Sequence, residues 1–162
     1  MLRWTQLLGF RPKLSERESR RQANSTIRLL AITANDRFYS SLVEIAASCG
    51  WEIRRAGSIK EGLDVARAQS MPLLLLDWDE DGHDWRGEVR RLATAPGHPC
   101  VLLSSRVADE NMRQEVIRFQ GYDVLPRSAD RDQIVRTIRF AWFWITRAQR
   151  FHDGAERQEE QY

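Results

Sequence analysis

Lysine is almost missing from this chain: 23 of its 25 basic residues are arginine and only Lys13 and Lys60 are lysine. Against 23 acidic residues the net charge is only +2, so composition alone does not point to nucleic acid. Cysteine is scarce too. Cys49 and Cys100 stand in apolar contexts, and two such residues read as reduced core thiols in a cytoplasmic protein rather than a disulfide framework. Long apolar runs are absent. The longest, Phe140 to Ile145, has six residues, far short of the roughly 20 that span a membrane. The first residues hold neither an apolar stretch of roughly 7–15 residues nor a small-residue cleavage site, so no secretory leader is expected.

Several catalytic signatures are missing as well. No glycine-rich turn follows the first apolar run; Thr33-Ala34-Asn35-Asp36 stands there and cannot make the close backbone approach of a dinucleotide or phosphate loop. There is no Gly-x-Ser-x-Gly elbow, and no histidine is placed to pair with Ser104. His83, His98 and His152 all fall in loop or tail contexts and read as surface residues. Catalysis by the chain itself, and a small-molecule substrate, are therefore not expected.

What is present is a composition of 42% hydrophobic and 30% charged residues, which suits a folded domain, arranged in a regular alternation. Ile27–Thr33, Trp51–Ala56, Leu73–Leu76, Cys100–Leu103 and Tyr122–Leu125 read as strands. Between and after them run helical patterns. Phe38, Leu42, Ile45, Ala46 and Cys49 stop at Gly50, and Ser58 with Glu61 forms a capping box for a helix to about Gln69. Trp85, Val89 and Leu92 mark a third helix and Met112, Val116 and Phe119 a fourth, which stops at Gly121. Ile134, Ile138, Ala141 and Ile145 mark the last, which starts near Ser128 or Asp130. Four consecutive leucines suit a parallel strand covered on both faces. Strand–helix alternation predicts an α/β fold with a parallel sheet and helices on both faces. Functional residues of such sheets gather at the carboxyl ends of the strands. The boundaries read as a basic, partly amphipathic extension at 1–25, a domain at 26–148 and a polar tail at 149–162.

The densest chemistry is the acidic run Asp77, Asp79, Glu80, Asp81 and Asp84. Asp77-x-Asp79-x-Asp81-Gly82 followed by Glu88 matches the pattern of a calcium loop. A helix should precede such a loop, yet Pro72 and four leucines do, its eighth position is Asp84 instead of an apolar residue, and no second copy exists. A divalent-metal protein built on 77–88 is thus an alternative and not the leading reading. In the extension, Arg3, Arg11, Lys13, Arg17, Arg20 and Arg21 outnumber Glu16 and Glu18, and Leu2, Trp4, Leu7, Leu8 and Phe10 add an apolar piece. A basic adaptor for nucleic acid or an anionic membrane is the other alternative.

The order of elements, with Leu-Leu-Leu-Leu-Asp77 closing the third strand, resembles the receiver domain of two-component response regulators over roughly residues 26–148. The resemblance implies a flavodoxin-like sheet of five parallel strands in the order 2-1-3-4-5. It implies Asp77 as the phospho-acceptor position, Ser104 as the residue bonding the phosphoryl oxygen, Tyr122 as the aromatic switch and Pro126 as the proline after the fifth strand. The pattern is also broken. Thr33 and Ala34 stand where receivers carry an acidic pair for magnesium, with Asp36 the nearest acid, about two positions late and read as capping the first helix, and Leu125 replaces a lysine. Glu80-Asp81 follows the acceptor position in place of Met-Pro, and Trp85 takes the place of a glycine. Magnesium would rest on Asp77 and Asp79, a weak site. The expectation is a degenerate receiver, a signalling module of phosphorelay type that docks on proteins independently of phosphate, with a working magnesium-dependent acceptor as the alternative. The last helix supplies the surface: Phe140, Trp142, Phe143 and Trp144 exceed one buried stripe and read as an interface to a histidine kinase, a downstream signalling protein or a second copy of the chain.

Overall fold

The computed structural model describes residues 26–78 and 84–159. The extension 1–25, Asp79 and most of the acidic loop lie outside the described residues. Elements alternate along the chain: β1 (Arg28–Ile32), α1 (Asp36–Cys49), β2 (Glu52–Ala56), α2 (Ile59–Gln69), β3 (Leu73–Asp77), α3 (Trp85–Ala93), β4 (Cys100–Ser105), α4 (Glu110–Arg118), β5 (Asp123–Pro126) and α5 (Arg131–Glu159). The five strands form one sheet in the order β2-β1-β3-β4-β5, and every neighbouring pair is parallel. The parallel sheet expected from the alternation is observed, in the flavodoxin-like strand order that the resemblance implies.

Local chemistry sets the boundaries. Asn35 caps α1, its Oδ1 accepting from Phe38 N at 3.0 Å, because a short side chain with an acceptor satisfies a free first-turn amide. That corrects the expectation that Asp36 caps this helix; Asp36 lies inside the first turn. Gly50 ends α1 at φ +70°, a left-handed position that a residue with a Cβ adopts only with strain. Ser58 caps α2, its Oγ accepting from Glu61 N at 3.2 Å, and Glu61 reaches back to Gly57 N at 2.7 Å. Asp84, Asp109 and Asp130 accept from the first-turn amides of α3, α4 and α5.

Two apolar layers enclose the sheet. Leu63 of α2, Trp85, Val89 and Leu92 of α3 and Val116 of α4 pack on one face with Leu30, Leu74, Leu76, Val101 and Leu103. Leu42 and Ile45 of α1 and Ile134, Ile138, Ala141 and Trp142 of α5 pack on the other, with Leu29, Leu73, Leu75, Leu102 and Leu125. All four leucines of β3 are buried, and each contributes roughly 1.5–3 kcal/mol by leaving water. The central strand is thus held from both sides, and the residue that ends it, Asp77, is held with it.

α5 runs on to Glu159, through most of the stretch read as a polar tail. Polar composition does not by itself stop a helix when neither proline nor a run of glycines intervenes. Trp142 also turns inward. It is 8% exposed and belongs to the core cluster with Ile138 and Ala141, so the buried stripe is one residue wider than predicted and Trp142 drops out of the interface.

Candidate functional site

The parallel register brings the strand ends together at one edge. Asp77 stands opposite Ser104 across the β3–β4 pair, and Ser104 opposite Leu125 across β4–β5. Thr33 follows β1 directly and is buried. Its amide donates to Ala56 O at 2.9 Å, and its carbonyl accepts from Arg55 Nε at 3.1 Å. So held, Thr33 donates its hydroxyl to Asp77 Oδ2 at 2.7 Å and accepts on the same oxygen from Asn35 N at 3.0 Å.

The other carboxylate oxygen is taken as well. Arg127 follows β5, and its amide donates to Ser105 O at 2.9 Å. From that anchored turn its guanidinium reaches across to Asp77 Oδ1 in a direct ion pair. The same Nη2 lies 3.4 Å from Trp78 O, while Trp78 N donates to Ser104 O at 2.9 Å. The two side chains are 4% (Asp77) and 17% (Arg127) exposed. A carboxylate withdrawn from water this far requires a compensating charge and full hydrogen bonding, and Thr33 and Arg127 supply both. Ser104 completes the cluster. It is fully buried, and its Oγ has no hydrogen-bond partner among the described residues.

The sequence puts Asp77 and Ser104 at strand ends and Arg127 one or two positions past the missing lysine, but leaves the direction of Arg127 open. Leu125, at the lysine position, is buried in the core, and the cation comes instead from Arg127, two residues on. A signal for it existed: a buried strand-end carboxylate needs a cation within reach, and Arg127 is the arginine nearest the end of β5. Tyr122 lies outside the cluster. It precedes β5, its amide donates to Val101 O at 2.8 Å, and it sits three residues before the cross-strand neighbour of Ser104, about 10 Å along the strand. Burial first, then the charges of Cys100 and Asp123, push its phenol pKa up, against a hydrogen bond with Trp144 that lowers it. Burial likewise pushes the Cys100 thiol up to about 12, which suits an inert core thiol.

Magnesium does not fit the described residues. Among them one carboxylate, Asp77, faces the cluster, and both its oxygens are engaged by the chain. Asp36 is committed to Arg55 at 2.8 Å. Among the described residues no group of three or more His, Cys, Asp or Glu could hold a metal ion. In the calcium-type pattern, Asp84 caps α3 and pairs with Arg86, and Glu88 lies 3.5 Å from Arg91, so its described carboxylates are spent on other contacts.

On α5 the remaining aromatics divide. Phe140 is 55% exposed. Phe143 and Trp144 are half-buried and meet edge to face with centroids 6.0 Å apart, and Arg147 lies over the Phe143 ring at 5.9 Å. No described helix is long and apolar enough to cross a membrane.

No protein-family model and no curated protein sequence matches the chain. Solved structures do match its fold. Chemotaxis protein CheY4 of Vibrio cholerae is 13% identical with a TM-score of 0.65, the match covering 72% of this chain and 99% of that one. A CheY-like response regulator receiver domain protein of Methanospirillum hungatei is 13% identical at 0.67, covering 76% and 99%. The beryllofluoride-activated NtrC4 receiver domain dimer is 19% identical at 0.65, covering 74% and 99%. The chain therefore has the fold of the receiver domains of response regulators, with the strand-end cluster built differently from the pattern of acids and lysine set out above.

Proposed function

We propose that the chain is a receiver-type signalling module that acts through protein–protein contacts and does not depend on phosphorylation of Asp77. One observation carries this reading: the Asp77 carboxylate is 4% exposed and both its oxygens are bonded by the chain itself, to Thr33 and to Arg127. Accepting a phosphoryl group needs a free carboxylate oxygen in line with the donor and cations free to receive the transferred charge. Here one oxygen carries a hydroxyl proton, the other a guanidinium, and among the described residues no acidic pair stands by to hold a metal. The exposed Phe140, with Phe143 and Trp144 beside it, supports a contact surface on α5. The partner is a protein of the same signalling class, a histidine kinase, a downstream regulator or a second copy, working in the cytoplasm.

The fully buried Ser104 Oγ, without a hydrogen-bond partner among the described residues, favours a second reading, a working acceptor in which that hydroxyl meets a phosphoryl oxygen. Acetyl phosphate with magnesium, read by intact mass beside Asp77→Asn, separates the two. We expect no added phosphate on either protein. One phosphate on the wild type alone establishes the second reading, and one on both means that a residue other than Asp77 is modified.

A further inference from the structure

We infer that Arg127 is a built-in counter-ion standing where a divalent cation would otherwise be needed, and that it clamps the β5–α5 turn permanently onto the end of β3. This rests on the reading of Asp77 as a site closed to phosphate. A buried carboxylate must be balanced by positive charge, and the two groups that bond it are a neutral hydroxyl, Thr33 Oγ1, and the Arg127 guanidinium. The charge balance therefore falls to Arg127. A second cation at Oδ1 would stand against the guanidinium's positive charge, so the arginine disfavours the ion it replaces. Its backbone is fixed independently, by Arg127 N to Ser105 O and by Ala129 N to Pro126 O, both at 2.9 Å. Asp130, whose Oδ1 accepts from Gln133 N at 2.8 Å, then starts α5. One side chain thus joins the ends of β1, through Thr33 and Asp77, and β3 to the turn that launches α5. A metal can dissociate; a guanidinium tethered to the chain and charged at every physiological pH cannot. The entry to α5, and with it the aromatic face, is held in one arrangement with no ligand required.

Thermal unfolding of the full chain in magnesium chloride, against sodium chloride of equal ionic strength, tests this. The wild type shows no magnesium-specific shift in Tm. Arg127→Ala lowers Tm by on the order of 10 °C, and magnesium raises it again. Adding Asp77→Asn to Arg127→Ala restores part of the loss and abolishes the magnesium response. Arg127→Lys keeps the charge, falls less and shows no response. A magnesium-specific gain in the wild type overturns the inference, as does an Arg127→Ala protein that melts with the wild type. So does a loss that either magnesium or Asp77→Asn fails to reverse. Should Arg127→Ala not fold, the double variant and calorimetric titration of the wild type with magnesium still decide: heat of binding to the wild type, or a double variant that also fails to fold, overturns it. No phosphodonor is used, so a failure here leaves phosphate independence to its own mass measurement.

Discussion

At the carboxyl end of the sheet polar groups are withdrawn from water and answered from within: Asp77 by Thr33 and Arg127, the Arg127 amide by Ser105, the Thr33 amide by Ala56. On the outer face of α5 the reverse holds. Phe140 is 55% exposed and its neighbours Phe143 and Trp144 stay half open. The first region is expensive to build, because each buried polar atom needs a partner, and once satisfied it serves order. The second adds little to the stability of the domain, since apolar area left in water contributes nothing to folding, and its value lies in contact with something else. Among the described residues the Asp77 carboxylate, at the strand ends where ligands of open parallel sheets usually bind, is bonded by the chain's own groups, and the exposed aromatic surface lies on a helix.

Breaking that contrast starts within α5 itself, where adjacent aromatics face opposite ways. Trp142→Ala removes the most buried of them from a cluster that includes Ile138 and Ala141. It should cost roughly 3–5 kcal/mol, read as a lower denaturant midpoint at unchanged slope. A cost below about 1 kcal/mol would mean that Trp142 is not part of the core.

The sheet end offers a smaller effect of opposite sign. Ser104→Ala removes a buried hydroxyl that has no partner among the described residues. An unsatisfied buried group carries a penalty of roughly 1–3 kcal/mol, so the variant should be more stable by about 1 kcal/mol in urea unfolding. A loss of stability would show that the hydroxyl is bonded in solution, and would move Ser104 from the unanswered groups of this region to the answered ones.

The contrast also separates what could be read along the chain from what could not. Leu73–Asp77, Gly50 and the Ser58–Glu61 box act within a few residues, so strand, stop and cap were legible one after another; alternation pointed to a parallel sheet, and the strand order came from the resemblance. Asp77 and Ser104 followed, because strand ends converge in any parallel sheet. Arg127 did not. Its direction depends on the turn after Pro126 and on a carboxylate 50 residues away, and no local pattern encodes that. Asn35 displaced Asp36 as the α1 cap by one position, a choice decided by backbone geometry and not by residue class. Trp142 depended on how wide a stripe α5 buries, which is a property of the groove it meets.

Phe140→Ala carries the smallest expected effect on folding and is the sharpest test of the α5 face. A ring more than half in water has little to lose, so stability should stay within about 0.5 kcal/mol of the wild type. The same ring, covered by a partner, would count among the aromatic anchors that cost 2 kcal/mol or more on truncation. Sedimentation velocity at rising concentration reads that second quantity for a partner copy: self-association of the wild type that weakens in the variant, at unchanged stability, places the contact on this face. A loss of more than about 1 kcal/mol in stability with sedimentation unchanged would mean that the chain covers Phe140 itself. The face would then join the strand ends as a surface closed from within, and the contrast between the two regions would be lost.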